Sequence, residues 1–238
     1  MNYLILKVWT QTSSFRNPDF QNFHKSYLLP PPTALIGFAG AALGFSPKKS
    51  QDFFNDNEIK FGIYGKSEGF ASDLWKYNSF KDSKSITKGI ITREIHFINQ
   101  YLIVYASENA DLINQLKTAF LYPKYTLTLG TSDSLAKIKL IDSYREAESY
   151  EVENCLLEGN IISEVLLNID KDISFKIYST NEPLTYDLPT EFSYESDYGI
   201  RRIVARKTFS FVPKKMKLNI PKNGIEVEEK FIPVFSIH

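Results

Sequence analysis

His24, Lys25 and Tyr27 share one short stretch, and Arg16 precedes them in the same polar segment. A metal-independent ribonuclease needs a general base, a general acid and a cation beside the scissile phosphate, and these are residue types that can supply them. The same types also hold an RNA without cutting it, because imidazole, ammonium and guanidinium groups all donate to phosphate oxygens. His96 lies on a strand-like run beside Arg93 and reads as a sheet residue.

Other chemistries drop out on spacing. Gly65-Lys66-Ser67 ends like a phosphate-binding loop, but Lys60 stands where the pattern needs its first glycine, and no helix pattern follows. The glycines at 37, 40 and 44 are not spaced as a dinucleotide fingerprint, and neither a Gly-x-Ser-x-Gly elbow nor a His-Glu-x-x-His motif occurs. Asp170 and Asp172 lack a third ligand and read as a strand end. Cys155 is the single cysteine and only three histidines accompany it, so neither a disulfide framework nor a cysteine/histidine zinc site is expected. That usage fits a reducing, cytoplasmic setting. No metal and no cofactor is expected.

Anion binding has more support. Phe15-Arg16 and His24-Lys25 feed a helix starting near Thr33, whose unpaired N–H groups attract anions. Gly37, Gly40, Ala41 and Gly44 leave one side of that helix bare enough for another backbone to approach. Gly130-Thr131-Ser132 offers a second set of backbone and hydroxyl donors. Residues 65–89 interleave lysines with rings: Trp75, Lys76, Tyr77, Phe80, Lys81, Lys84 and Lys88. Rings stack on bases while ammonium groups meet phosphates, which suits a single strand. The plainer alternative is a solvated loop whose aromatics cover the core.

Equal counts of basic and acidic residues, 28 each, exclude a globally basic nucleic-acid binder. The charge is unevenly placed, however. Residues 1–140 hold 16 basic and 11 acidic side chains, residues 142–197 hold 3 and 14, and residues 198–238 hold 9 and 3. An acidic block of this kind faces away from a phosphate backbone, toward water or a protein partner. The longest apolar run, 34–45, is far short of the roughly twenty residues a bilayer requires, and the N-terminal apolar stretch breaks off too early for a signal peptide, so no membrane partner is expected.

These side chains need elements to hold them. Alternation predicts strands at 3–11, 58–64, 90–97, 101–105, 125–129 and 135–141, with a turn at Ile98-Asn99-Gln100. Thr33 after Pro30-Pro31-Pro32 reads as a helix cap, Ser46-Pro47 as a second helix start, and Asn109 as the cap of a third helix that Pro123 ends. Residues 65–89 read as an excursion, a long hairpin or mobile loop. The order is strand, helix, strand, excursion, strand, helix, strand: an α+β chain with a ferredoxin-like, split βαβ N-terminal domain over 1–145. The remainder, 146–238, reads as a smaller β-rich part with strand-like runs at 161–167, 173–178, 200–211 and 225–234, and a hairpin signal at Asn223-Gly224. With 238 residues, one large or two small domains fit.

Three segments carry a family resemblance. Phe15-Arg16 followed by Tyr27-Leu-Leu-Pro-Pro-Pro-Thr-Ala-Leu-Ile-Gly-Phe-Ala-Gly-Ala-Ala-Leu-Gly44 resembles the N-terminal signature of the CRISPR-associated Cas-five family. Thr92-Arg93-Glu94 before a strand, and Tyr122-Pro123-Lys-Tyr-Thr-Leu-Thr-Leu-Gly130, resemble two further segments in the same order. Together they cover roughly residues 1–140. The resemblance implies a RAMP-superfamily, RRM-related domain in a type I Cascade particle, closest to the I-B group. Such a subunit holds the 5′ handle of the crRNA and meets the backbone (Cas-seven) and large (Cas-eight) subunits. It reaches target DNA through the complex. Residues 65–89 would be its thumb hairpin. The family often follows its leucine–glycine with arginine, whereas Thr131 follows Gly130 here, leaving backbone N–H and hydroxyl contacts at that position. In I-B systems a separate endoribonuclease cuts the precursor, so the expected role is non-catalytic. Two alternatives stand beside it: a metal-independent precursor endoribonuclease relying on His24, and a protein-binding adaptor using the acidic 142–197 block.

Overall fold

The computed structural model describes residues 1–20, 22–82, 85–162 and 184–237. Lys84, Asp170, Asp172 and the run at 173–178 lie outside the described residues, as does most of the run at 161–167. So do the side chains of Phe80 and Lys81.

The N-terminal half is built from β1 (Asn2–Ser13), α1 (Pro32–Leu43), α2 (Pro47–Asp56), β2 (Lys60–Asp82), β3 (Ser85–Ser107), α3 (Ala110–Leu121) and β4 (Ala136–Ile141). Its strands pair antiparallel in the order β4-β1-β3-β2. Alternation decides which side each strand buries. Leu4, Leu6, Val8, Phe61, Ile63, Ile103 and Tyr105 face the helices and pack on Leu35, Phe38, Leu112, Leu116 and Phe120. Their neighbours Ile5, Tyr64, Leu102 and Val104 face the opposite way, onto Ile225, Val227 and Ile232.

Those last three residues come from a second group of strands: β5 (Arg145–Val152), β6 (Cys155–Glu158), β7 (Leu184–Tyr194), β8 (Arg201–Val212), β9 (Met216–Val227) and β10 (Lys230–Phe235). β9 pairs with both β5 and β10, and β10 continues the main sheet beside β2 through Val234↔Gly62 and Phe235↔Phe61. β7 and β8 form a hairpin that reaches α2, where Gln51 exchanges two 2.8 Å hydrogen bonds with the backbone of Phe192. The result is an α+β molecule: among the described residues, a large antiparallel sheet of ten strands with three helices.

Helix starts follow local chemistry. Ser46 Oγ accepts from Lys49 N, and Asn109 Oδ1 accepts from the N–H groups of Asp111 and Leu112. At α1 the expectation needs correction. Pro31 is the extended cap residue and Pro32 the first helical one, so Thr33 lies inside the first turn. Proline's fixed φ suits that first position and its missing N–H costs nothing there. Of the small residues on α1, Gly40 is the one approached closely: a Cβ there would lie 2.0 Å from Ser50 Oγ of α2. Gly37 is exposed, with nothing within 4 Å of a Cβ.

Of the two readings of residues 65–89, the hairpin holds: β2 and β3 stay paired from Lys60↔Ala106 to Asp82↔Ser85, so the sheet's central strands run out into one long arm. Three strand expectations change. Ile98-Asn99-Gln100 is not a reversal. Ile98 takes φ 52°, and the buried Asn99 amide donates to Thr10 Oγ1 and the His96 carbonyl, so β3 bends there and continues. At 125–129 no strand forms. Lys124 N and Tyr125 N bond to the Ala42 and Ala41 carbonyls near the end of α1, leaving one bridge, Thr128↔Leu135. Finally, the run at 225–234 is broken by Glu228 and Glu229, both left-handed at φ 47° and 61°. Asn223-Gly224 lies within β9, where a Cβ on Gly224 would be 2.2 Å from the Ile232 carbonyl oxygen.

Candidate nucleic-acid interface

The loop between β1 and α1 folds back on itself. Asn17 N donates to the Lys25 carbonyl at 2.7 Å and Tyr27 N to the Phe15 carbonyl at 2.8 Å. The returning arm lies along β3 as a short extra strand. His24 N donates to the Thr92 carbonyl and Glu94 N to the His24 carbonyl, both at 2.8 Å. His24 is thereby registered beside Arg93, a pairing of residues far apart in sequence.

Hairpin register brings in the next groups. Asp73 pairs with Arg93 across β2 and β3, and Trp75 pairs with Ile91 on the same face. The Trp75 ring lies 5.2 Å from the Arg93 guanidinium carbon and 6.0 Å, edge to face, from the His24 ring. Arg93 is largely buried. Its Nη2 is 3.1 Å from Asp73 Oδ2 and 3.9 Å from Asp133 Oδ2, while its Nε is buried without an acceptor. Asp133 arrives from the turn after β1's neighbour Gly130. That glycine takes φ 112° and lies so close to Ser14 that a Cβ would be 2.9 Å from Ser14 N. The Thr131 hydroxyl bonds the Asp133 carboxylate and Ser134 Oγ, and Ser132 is exposed at the tip.

Thus Arg16, His24, Arg93 and the Gly130–Ser132 turn meet at one end of the sheet, with Trp75 of the arm over them. Arg16 is exposed, and among the described residues no carboxylate pairs with it. The electrostatics agree with the geometry. Burial, then the charges of Arg16 and Arg93, hold the His24 imidazole below its ordinary range.

Other predicted residues are placed differently. Phe15 and Tyr27 are core: Phe15 packs edge-on to Tyr101, and Tyr27 stacks on Phe211 at 5.4 Å while its hydroxyl bonds Asn17. Burial pushes the Tyr27 hydroxyl up to about 12. Lys25 sits over the Phe20 ring at 5.3 Å. Thr33 and Gly37 line a separate small cleft with Phe192, Tyr194 and Arg201. On the arm, Tyr77 shares the Trp75 face, whereas the exposed Lys76 and Lys88 occupy the other face with Phe70, Leu74 and Ile90. His96 is buried away from His24. Its Nε2 has no hydrogen-bond partner and stands 3.7 Å from Glu94 Oε1.

Sequence reasoning missed Asp73 and Asp133. Asp73 becomes visible only through hairpin register, and Asp133 only once the Gly130 turn is docked on β1. Among the described residues, no group of three or more His, Cys, Asp or Glu side chains could hold a metal ion, and no helix is long and apolar enough to cross a membrane.

The family comparison is specific. The model for "CRISPR-associated protein (Cas_Cas5)" matches residues 3–217, and the chain belongs to that family. No curated protein matches. Among solved structures, a CRISPR RNA-guided surveillance complex contains a chain of similar fold, with a TM-score of 0.52 and 13% identity over 92% of this chain and 91% of that one. A crystal structure of a Cas protein has a TM-score of 0.37 and 18% identity; 55% of this chain matches 57% of that one, so the match spans little more than half its length. A Type III-B Cmr-beta complex bound to cognate target RNA has a TM-score of 0.37 and 15% identity over 58% of this chain and 61% of that one.

Proposed function

We propose that this chain is a non-catalytic RNA-binding subunit of a type I Cascade-like surveillance complex, holding the 5′ handle of the crRNA. The observation that carries the reading is the convergence of Arg16, His24, Arg93 and the Gly130–Ser132 turn beneath Trp75. An exposed guanidinium at Arg16, the His24 imidazole near it and a partly exposed ring at Trp75 for base stacking are what a single-stranded RNA end requires. Membership of the Cas5 family supports the assignment.

The strand order β4-β1-β3-β2, with α1 and α3 as crossovers, supports reading residues 1–145 as a ferredoxin-like unit, with 146–238 as its β-rich companion. The arm formed by β2 and β3 is the thumb in this reading. Its exposed face of Phe70, Leu74 and Ile90, with Lys76 and Lys88, gives the backbone or large subunit something to meet. The non-catalytic role is supported by the way His24, Lys25 and Tyr27 diverge. Their side chains turn to Trp75, Phe20 and Phe211 respectively, so these three do not gather on one phosphate.

The test is a crosslink. Guide RNA carrying 4-thiouridine at its first positions is assembled into the complex and irradiated. Crosslinked peptides should come from residues 15–27, 73–93 or 130–134. Crosslinks confined to other subunits would overturn the reading, and cleavage of a repeat hairpin by the isolated protein in EDTA would overturn its non-catalytic part.

A further inference from the structure

The registers of β4, β1, β3 and β2 place four lysines on the sheet face that lies away from the helices. Lys139, Lys7, Leu102 and Tyr64 form one row across the sheet, and Lys137, Trp9, Gln100 and Lys66 form the next. The layer of Ile225, Val227 and Ile232 covers Leu102 and Tyr64. It does not reach the second row: Lys66, Gln100 and Lys137 are exposed, as is Lys139 at the edge of the first row, and Trp9 is partly exposed. Lys7 lies over the Trp9 ring at 5.7 Å and is ion-paired with Glu228 at 2.5 Å. Among the described residues no carboxylate pairs with Lys66, Lys137 or Lys139, and Glu68 follows Lys66 along the same face of β2.

Adjacent strands are about 4.8 Å apart and alternate residues along one strand about 6.6 Å. Four lysine positions therefore surround Trp9 on this face, each within a side chain's reach of the indole, and Lys7 lies over the ring. Cations around a flat ring match a single-stranded nucleic acid, phosphates to the lysines and a base to the ring. A duplex would offer only its backbone and leave Trp9 unused. One of these strands is also shared with the end site. β1 runs from Trp9 to the Ser13–Ser14 segment on which Gly130 packs, so the row ends beside the Gly130 turn.

We infer that this face is a second RNA contact, on which the strand leaving the Arg16–Arg93 end continues across Lys66, Trp9, Lys137 and Lys139. This rests on the function proposed above. The experiment titrates the full chain with fluorescein-labelled single-stranded RNA across a salt series, using wild type, a Lys66→Gln/Lys137→Gln/Lys139→Gln variant, Trp9→Phe, Trp9→Ala and Arg16→Ala. Thermal melts check that each variant is folded.

Losing three phosphate contacts should reduce the slope of log K against log salt by about 2, at about 0.7 per contact. Trp9→Phe, which keeps a ring, should bind more tightly than Trp9→Ala. A triple variant with wild-type slope and affinity, alongside an Arg16→Ala variant that binds poorly, would overturn this inference and leave the end site standing. If neither variant changes RNA binding, both readings fail. If the triple variant loses only a DNA duplex of the same sequence, or only a protein subunit of the complex, the RNA assignment of this face is overturned.

Discussion

Asp73 and Arg93 stand opposite each other on β2 and β3, carboxylate and guanidinium 3.1 Å apart, with the Trp75 ring beside them. The pair ties the base of the arm to the sheet end, and Asp133 adds a weaker tie to the Gly130 turn at 3.9 Å. Because Asp73 is half-exposed and Asp133 mostly exposed, each ion pair contributes little by itself. The ring contact and the buried guanidinium raise the total. Arg93→Ala should cost about 1–2 kcal/mol of folding stability, whereas Asp73→Asn should cost less than about 0.5 kcal/mol. Urea unfolding of the two variants checks this. Equal losses would show that Arg93 acts on the fold only through Asp73.

Arg16 has the opposite character, exposed and without a carboxylate partner among the described residues. Arg16→Ala should leave the unfolding midpoint within the range of ordinary surface changes. It should weaken RNA binding by about 1–3 kcal/mol, the usual scale for a charge-assisted hydrogen bond. Fluorescence anisotropy with a handle-length RNA, beside a thermal melt, measures both quantities. An unchanged affinity would remove Arg16 from the site.

Gly130 and Gly37 make a paired prediction. Gly130→Ala forces a Cβ against Ser14 at φ 112° and should destabilise by about 1–3 kcal/mol. Gly37→Ala has open space on a helix and should stabilise by up to about 1 kcal/mol. If Gly37 borders RNA, the same substitution should weaken binding while raising Tm. A variant more stable and equally tight would place the RNA elsewhere on α1.

Both His24 and His96 are held below the ordinary histidine value, in each case chiefly by burial. The unfolded chain therefore takes up protons first as the pH falls. The stability these neutral rings carry is complete above about pH 6.5 and is lost as the pH drops below it, through their folded-state values. Tm should fall from pH 7 to pH 5, and the fall should be shallower for His96→Gln, because His96 Nε2 is buried without a partner. Parallel curves would assign the acid sensitivity to other groups.

Much of the helical framework was legible because its signals are local. Ser46 and Asn109 cap the helices they were expected to cap, by side-chain bonds spanning three residues or fewer. Arg16, His24 and Arg93 were legible as types, and their meeting followed from a loop that zips onto β3. What stayed hidden depends on register between distant segments. Hairpin and loop stayed open for the arm because the apolar alternation that marks a half-buried strand is missing there. The Glu228-Glu229 turn lacked any glycine to announce it, and Phe15 and Tyr27 looked like ligand contacts until the packing of Tyr101 and Phe211 claimed them.

β10 lies beside β2, and its Phe235 touches Phe61 and Phe209. During synthesis the edge of β2 near Phe61 therefore waits, unsealed, while more than 160 later residues emerge. Contacts this distant in sequence slow folding and leave a sticky seam exposed in the meantime. For this polypeptide, yield in a recombinant host should depend on growth temperature and chaperone supply more than on the stability of the finished molecule.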